Sequence, residues 1–284
     1  MNEIKIIECP RDAMQGWKNM IPTEKKVKYI QSLLEVGFNT IDFGSFVSAR
    51  AIPQMADTRE VLQSLDLKNK RSGLLAIVAN PRGAEEAVQY EQIDYLGFPF
   101  SISSTFQQRN TNSSPEESVE RVHLIQELCL QTNKKLVVYL SMAFGNPYGD
   151  EYNESVLLKW AGTMADMGIS ILSLADTVGV ATPSQISFAL GKLIPAYSNI
   201  EMGVHLHSAP HNFYDKLEAA FQAGCTRFDG ALKGIGGCPM AQDALVGNMN
   251  TENIIDFLEQ KSRLNNIDHE ALKKSLALAT EIFV

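Results

Sequence analysis

Eight short β-branched runs, amphipathic stretches between them and a thrice-repeated helix–glycine–strand ending predict an α/β protein. The pattern fits a (β/α)8 TIM barrel with additional C-terminal helices. The runs lie near Ile4–Glu8, Thr40–Phe43, Leu74–Ala79, Ile93–Phe98, Leu136–Ser141, Ile171–Leu174, Met202–His205 and Thr226–Asp229. Their starts fall roughly 20 to 40 residues apart, which is the spacing of successive βα units and not of hairpins.

Each element has a local reason. Thr23–Val36 places Val27, Ile30, Leu33 and Leu34 three or four positions apart, so one helical face is apolar. Pro115–Leu130 repeats the pattern with Val119, Val122, Ile125 and Leu128. It opens on Ser114-Pro115-Glu116-Glu117: an N-cap serine, proline at the first helical position, then acids at the positive helix end. Three helices finish alike, in EVGFNTIDF, DMGISILSLAD and QAGCTRFDG. Each has a glycine able to close the helix in the left-handed conformation, then a strand ending near Asp42, Asp176 or Asp229. Such repeated units mean a parallel sheet. An open doubly wound sheet would want a glycine-rich turn after its first strand, where this chain has Cys9-Pro10-Arg11-Asp12. No linker interrupts residues 1–284, which read as one catalytic barrel domain with helices of about 251–284 packed on it.

The chain has 284 residues, 45% of them apolar, so a large core is within reach and disorder is excluded. Twenty-five basic against 33 acidic residues give a net charge of −8, which argues against nucleic-acid binding. The four cysteines form no C-x-x-C pair, and the N-terminus MNEIKIIECP has no apolar signal run. No stretch approaches the roughly 20 apolar residues of a membrane span. The expected setting is the cytoplasm, with no membrane partner.

In such barrels the active site is built from strand ends and the loops that follow them. Arg11 and Asp12 follow strand one, Asp42 ends strand two, and Asp176 follows strand six. Strand seven ends in His205-Leu206-His207, where residues i and i+2 project the same way and can chelate one divalent ion. Asp12 is the oxygen partner expected across the mouth for Mg2+ or Mn2+. Gly234-Ile235-Gly236-Gly237-Cys238-Pro239 reads as a flexible, lid-like loop with Cys238 at its tip.

These residues resemble the 3-hydroxy-3-methylglutaryl-coenzyme A lyase family of metal-dependent barrel lyases. The matches run almost end to end: PRDAMQ, SFVSARAIPQMAD, NTNSSPEES, SLADTVGVATP, VHLH and GIGGCPMAQ, then Gly247-Asn248. The resemblance implies a divalent cation held by Asp12, His205, His207 and Asn248. It also implies that Arg11 steadies an enolate oxygen, that Asp42 and Asp176 serve the polar site, and that Cys238 acts from the glycine loop, with His205 a proton carrier beside it. The implied substrate is an acyl-CoA, cleaved to acetyl-CoA and acetoacetate by a homodimer. For the coenzyme A tail, Lys18, Arg50 and Arg109 come from loops expected near the mouth.

The chain also departs from the family. Asp42 stands where glutamate is usual, the first loop is one residue shorter, and Ser208-Ala209-Pro210-His211 replaces D-T-Y-G. Gly145-Asn146-Pro147-Tyr148-Gly149-Asp150 replaces G-C-P-Y-E-G, and one extra residue precedes Gly247-Asn248. The alternatives are a related lyase or condensing enzyme acting on another 3-hydroxyacyl-CoA or hydroxy acid, and a non-catalytic barrel that binds acyl-CoA or metal.

Overall fold

The computed structural model describes residues 3–237, 246–264 and 266–284. Eight strands pair in parallel and in chain order: β1 Lys5–Glu8, β2 Thr40–Ser45, β3 Gly73–Ile77, β4 Tyr95–Ser101, β5 Lys135–Ser141, β6 Ile171–Ala175, β7 Glu201–His205 and β8 Arg227–Gly230. Registered pairing of β8 with β1 closes the barrel. All eight are the strands expected from the sequence, with ends shifted by no more than three residues.

The helices are α1 Pro10–Gln15, α2 Thr23–Val36, α3 Thr58–Ser64, α4 Pro81–Ala87, α5 Ser104–Thr111, α6 Pro115–Gln131, α7 Glu154–Asp166, α8 Pro183–Ala196, α9 Phe213–Gln222, α10 Thr251–Gln260 and α11 His269–Ile282. Helix α2 has the predicted bounds. Helix α6 starts on a full capping box, in which the Ser114 hydroxyl accepts from the Glu117 amide and the Glu117 carboxylate from the Ser114 amide. The three repeated glycines, Gly37, Gly168 and Gly224, sit at φ of +100°, +75° and +92°, so the repeat marks true left-handed helix endings. One expectation is corrected: Cys9-Pro10-Arg11-Asp12 is no turn but the start of α1, because Pro10 is preset for the first helical position.

The core has two parts. A continuous apolar layer lies between strands and helices, as both-sided burial of a parallel sheet requires. Inside the barrel, Leu75, Ile77, Val137, Tyr139 and Ile171 form a smaller apolar group contributed by β3, β5 and β6. Strands β1, β7 and β8 carry charge instead: Lys5 pairs with Glu201, and Arg227 Nη1 donates to Glu201 Oε1 at 3.2 Å. Helix α11 packs on α2, with Ser275 donating to Ser32 at 2.9 Å and the Asp268 amide to the Val36 carbonyl at 2.8 Å. Among the described residues no helix is long and apolar enough to cross a membrane.

Glu8, at the end of β1, is fully buried between the segments that follow β8. Its carboxylate accepts from the Leu232 amide at 2.9 Å and the Thr251 hydroxyl at 2.6 Å. Burial pushes its pKa from 4.5 up to about 8, against the pull of those donors. The folded chain therefore keeps a proton that the unfolded chain has lost between these two values, so stability falls as pH rises through that window. Glu8→Gln removes the linkage. Its stability relative to wild type should climb between pH 5 and 8 by up to ~1.4 kcal/mol per pH unit. Urea denaturation across that range checks this; parallel pH profiles for the two proteins would contradict it.

Candidate active site

The short helix α1 turns Arg11, Asp12 and Gln15 into the barrel mouth. Asp42, from β2, receives the Arg11 guanidinium on both oxygens: Nη2 donates to Oδ2 at 2.6 Å and Nε to Oδ1 at 3.2 Å. The other guanidinium nitrogen, Nη1, donates to Asp12 Oδ1 at 3.1 Å and Gln15 Oε1 at 2.8 Å. Gln15 returns a bond to Asp12 Oδ1 at 2.7 Å. The arrangement is a fork between two carboxylates, the geometry a guanidinium favours.

Burial alone would lower the Arg11 pKa, but Asp42 and Asp12 outweigh it and hold the group charged. Asp12 is shifted the other way. Burial favours its neutral form, yet Arg11, His205 and Asn248 together keep its pKa below the usual value. For Asp42 burial wins despite Arg11, and its pKa rises to about 6.

Across the mouth, His205 ends β7 and His207 lies just beyond it, with ring centroids 5.5 Å apart. His207 forms an isolated antiparallel bridge with Asn248. Its Nδ1 meets the Val246 carbonyl at 2.9 Å, which makes Nδ1 the donor and leaves Nε2 with a free lone pair. Burial and the neighbouring His205 push the His207 pKa down to about 4, so the ring is neutral at physiological pH. Asn248 donates to Asp12 Oδ2 at 2.7 Å and to the Ile235 carbonyl at 2.9 Å. Both contacts are acceptors, which fixes the amide orientation. Among the described residues the amide oxygen Oδ1 is then buried without a hydrogen-bond partner. A carboxylate, an amide oxygen and imidazole nitrogens are donor types that suit a hard divalent cation, and Asp12, Asn248, His205 and His207 bring these types to one mouth.

Below this cluster, His205 Nδ1 lies 3.4 Å from Asp229 Oδ2. Burial lowers the His205 pKa, but Asp229 and Asp12 reverse the effect and leave it raised. Cys9, His205 and Asp229 each bring a ligand atom within 4.8 Å of the others. Burial and the surrounding carboxylates raise the Cys9 thiol well above its usual range, so it is protonated and reads as inner wall.

The cavity in front of these residues holds about 140 Å³. It is lined by Arg11, Asp12, Asp42, His205 and His207 together with apolar Ile77, Pro99 and Phe106 and with Tyr139. The remaining expected site residues are elsewhere. Asp176 is buried outside the cavity, paired with Lys216 at 2.7 Å. Lys18, Arg50 and Arg109 are exposed and line no part of the cavity; Arg109 stacks over Tyr148 at 4.5 Å. Cys238 lies outside the described residues. Sequence reasoning missed Gln15, Tyr139, Lys216 and the approach of Asp229 to His205. Lys216 leaves no signal of its own in the sequence, because Asp215 and Glu218 flank it and its charge reads as part of a polar face.

The glycine loop is used here for close approach. Gly236 sits at φ +100°, and a Cβ there would lie 2.7 Å from Asn248 Nδ2 and 2.8 Å from the Asp12 carbonyl.

A closed parallel barrel with this polar mouth defines a (β/α)8-barrel enzyme. More particularly, the chain belongs to the HMGL-like family, whose model matches residues 3–278. Hydroxymethylglutaryl-CoA lyase YngG of Bacillus subtilis is 32% identical over 263 residues, covering 93% of this chain and 87% of its own length. The mitochondrial hydroxymethylglutaryl-CoA lyase of Homo sapiens is 33% identical over 257 residues, covering 90% of this chain and 78% of its own. An HMG-CoA lyase from Acinetobacter baumannii, solved with coenzyme A and 3-methylmalate, superposes with a TM-score of 0.91 at 29% identity. That match covers 99% of this chain and 91% of the other.

Gly236→Ala should strain the backbone and displace Asn248 from Asp12. The expected loss is about 1–3 kcal/mol of stability, with weakened Mn2+ binding. Urea denaturation and a Mn2+ titration measure the two effects. Wild-type values in both would show that the close approach is unimportant.

Proposed function

We propose that the chain is a carbon–carbon lyase that cleaves 3-hydroxy-3-methylglutaryl-CoA to acetyl-CoA and acetoacetate, using Mg2+ or Mn2+ at the barrel mouth. The observation that carries this is the buried Asn248 oxygen beside Asp12 and the His207 Nε2, both without a partner among the described residues. Asp12, His205, His207 and Asn248 would hold the cation. Bound there, it orients the substrate's 3-hydroxyl and lowers its pKa.

The chain's own residues supply the rest. Arg11, kept charged between Asp42 and Asp12, stabilises the thioester oxygen that becomes an enolate as the C2–C3 bond breaks. His205, with Nδ1 facing Asp229, would offer its other ring nitrogen to the cation, and its role as proton carrier beside Cys238 comes from the resemblance. Cys238 returns a proton to C2 of the enolate, a role that comes from the resemblance. The apolar wall of Ile77, Pro99 and Phe106 faces the substrate's methyl group. Asp176 contributes by positioning and does not touch substrate.

The coenzyme A tail leaves by a neighbouring depression of about 410 Å³ that shares Val47 with the cavity and is lined by Ser48, Arg59 and Arg82. Lys18, Arg50 and Arg109 are the exposed charges offered to its phosphates. A single catalytic domain in the cytoplasm, as the strand runs, the cysteines and the N-terminal sequence suggest, and a homodimer, on the strength of the resemblance alone, complete the proposal.

Pure protein incubated with the thioester and Mg2+ or Mn2+ should release acetoacetate, and His205→Ala should not. Turnover no higher than that variant's would overturn the proposal. Faster turnover of another 3-hydroxyacyl thioester would move the substrate assignment.

A further inference from the structure

We infer that Lys216 is a positioning residue, a buried ammonium that pins the cation ligand His207 by its backbone and its ring together. The inference rests on the cation site proposed above. Lys216 lies on α9 and is 1% exposed. Its Nζ donates to Asp176 Oδ2 at 2.7 Å, the His207 carbonyl at 2.7 Å and the Gly179 carbonyl at 3.2 Å. An ammonium has three N–H donors, and each is used.

The acceptors belong to different segments. Asp176 and Gly179 follow β6, while His207 follows β7, so the lysine ties two neighbouring loops to α9. A further contact closes the circuit. Gly179, at φ +75°, packs so closely that a Cβ there would lie 2.8 Å from Val246 Cβ. The Val246 carbonyl in turn holds His207 Nδ1 at 2.9 Å. Lys216 thus reaches the His207 main chain directly and its ring through Gly179 and Val246. Both constraints bear on where Nε2 points.

Asp176 makes the buried ammonium tolerable. Its Oδ2 carries the lysine, while its Oδ1 accepts from the Ala181 amide at 2.9 Å and so anchors the loop. Removing either charge alone strands the other in the interior. The pair therefore acts as a unit, and Asp176 reaches the site through Lys216.

The test uses two variants in the full chain. Lys216→Met/Asp176→Asn removes both charges together, and Gly179→Ala keeps the ion pair but drives a methyl group into Val246. Mn2+ affinity is titrated by EPR, with circular dichroism as the check on folding. The double variant should bind Mn2+ about 10- to 100-fold more weakly. Gly179→Ala should weaken binding in the same direction, and saturating Mn2+ should restore thioester turnover in both. A folded double variant with the wild-type Kd, or turnover that saturating Mn2+ does not restore, overturns the inference. If the double variant does not fold, Gly179→Ala decides, and an unchanged Kd there overturns it. Wild-type protein that binds no Mn2+ would overturn the cation site itself, and this inference with it, before any variant is compared.

Discussion

The barrel mouth depends on one buried carboxylate, that of Asp12. One oxygen accepts from Arg11 and Gln15, the other from Asn248. These bonds join the helix after β1 to the segment that follows β8, at opposite ends of the sequence but adjacent in the closed barrel. They also keep the group ionised against the effect of burial. Remove that charge, and Arg11 loses a partner, Asn248 loses its orientation, and the histidines face a mouth without its carboxylate.

The interior behind the mouth follows from the same requirement. A barrel filled only with branched apolar side chains would be easier to stabilise, because buried ion pairs add little net stability. Here β3, β5 and β6 keep that apolar filling, while β1, β7 and β8 carry Lys5, Glu201, Arg227 and Asp229. The charged half lies under the histidines. Asp229 stands between Arg227 and His205, so the imidazole is oriented from below as well as from the mouth. The ion pairs set geometry, and the apolar half supplies the stability that permits them.

Much of this was legible in the sequence, for identifiable reasons. Parallel strands buried on both faces read as β-branched runs, and helix endings in left-handed glycine are local, so Gly37, Gly168 and Gly224 announced their units. Arg11, Asp12, Asp42, His205 and His207 end or follow strands, which a barrel gathers at one mouth, while Asn248 comes from the resemblance; the structure brings all six together. Asp176 obeys the same positional rule but turns aside to Lys216, a choice set by a helix forty residues further on. Lys216 and Glu8 were invisible because charged residues in amphipathic elements usually face water; only the fold shows them sealed beneath neighbouring segments. The GIGG run looked like slack chain, whereas Gly236 is needed because Asn248 and Asp12 leave no room for a side chain. Such constraints come from contacts between distant segments, which local pattern does not encode.

The most direct test of the account is pulsed EPR of Mn2+ bound to wild-type and His207→Ala protein. The structure predicts one Mn2+ per chain, with nitrogen coupling from directly bound imidazole that is reduced in the variant as affinity falls. Mn2+ bound without nitrogen coupling, or with coupling and affinity unchanged in His207→Ala, would contradict it.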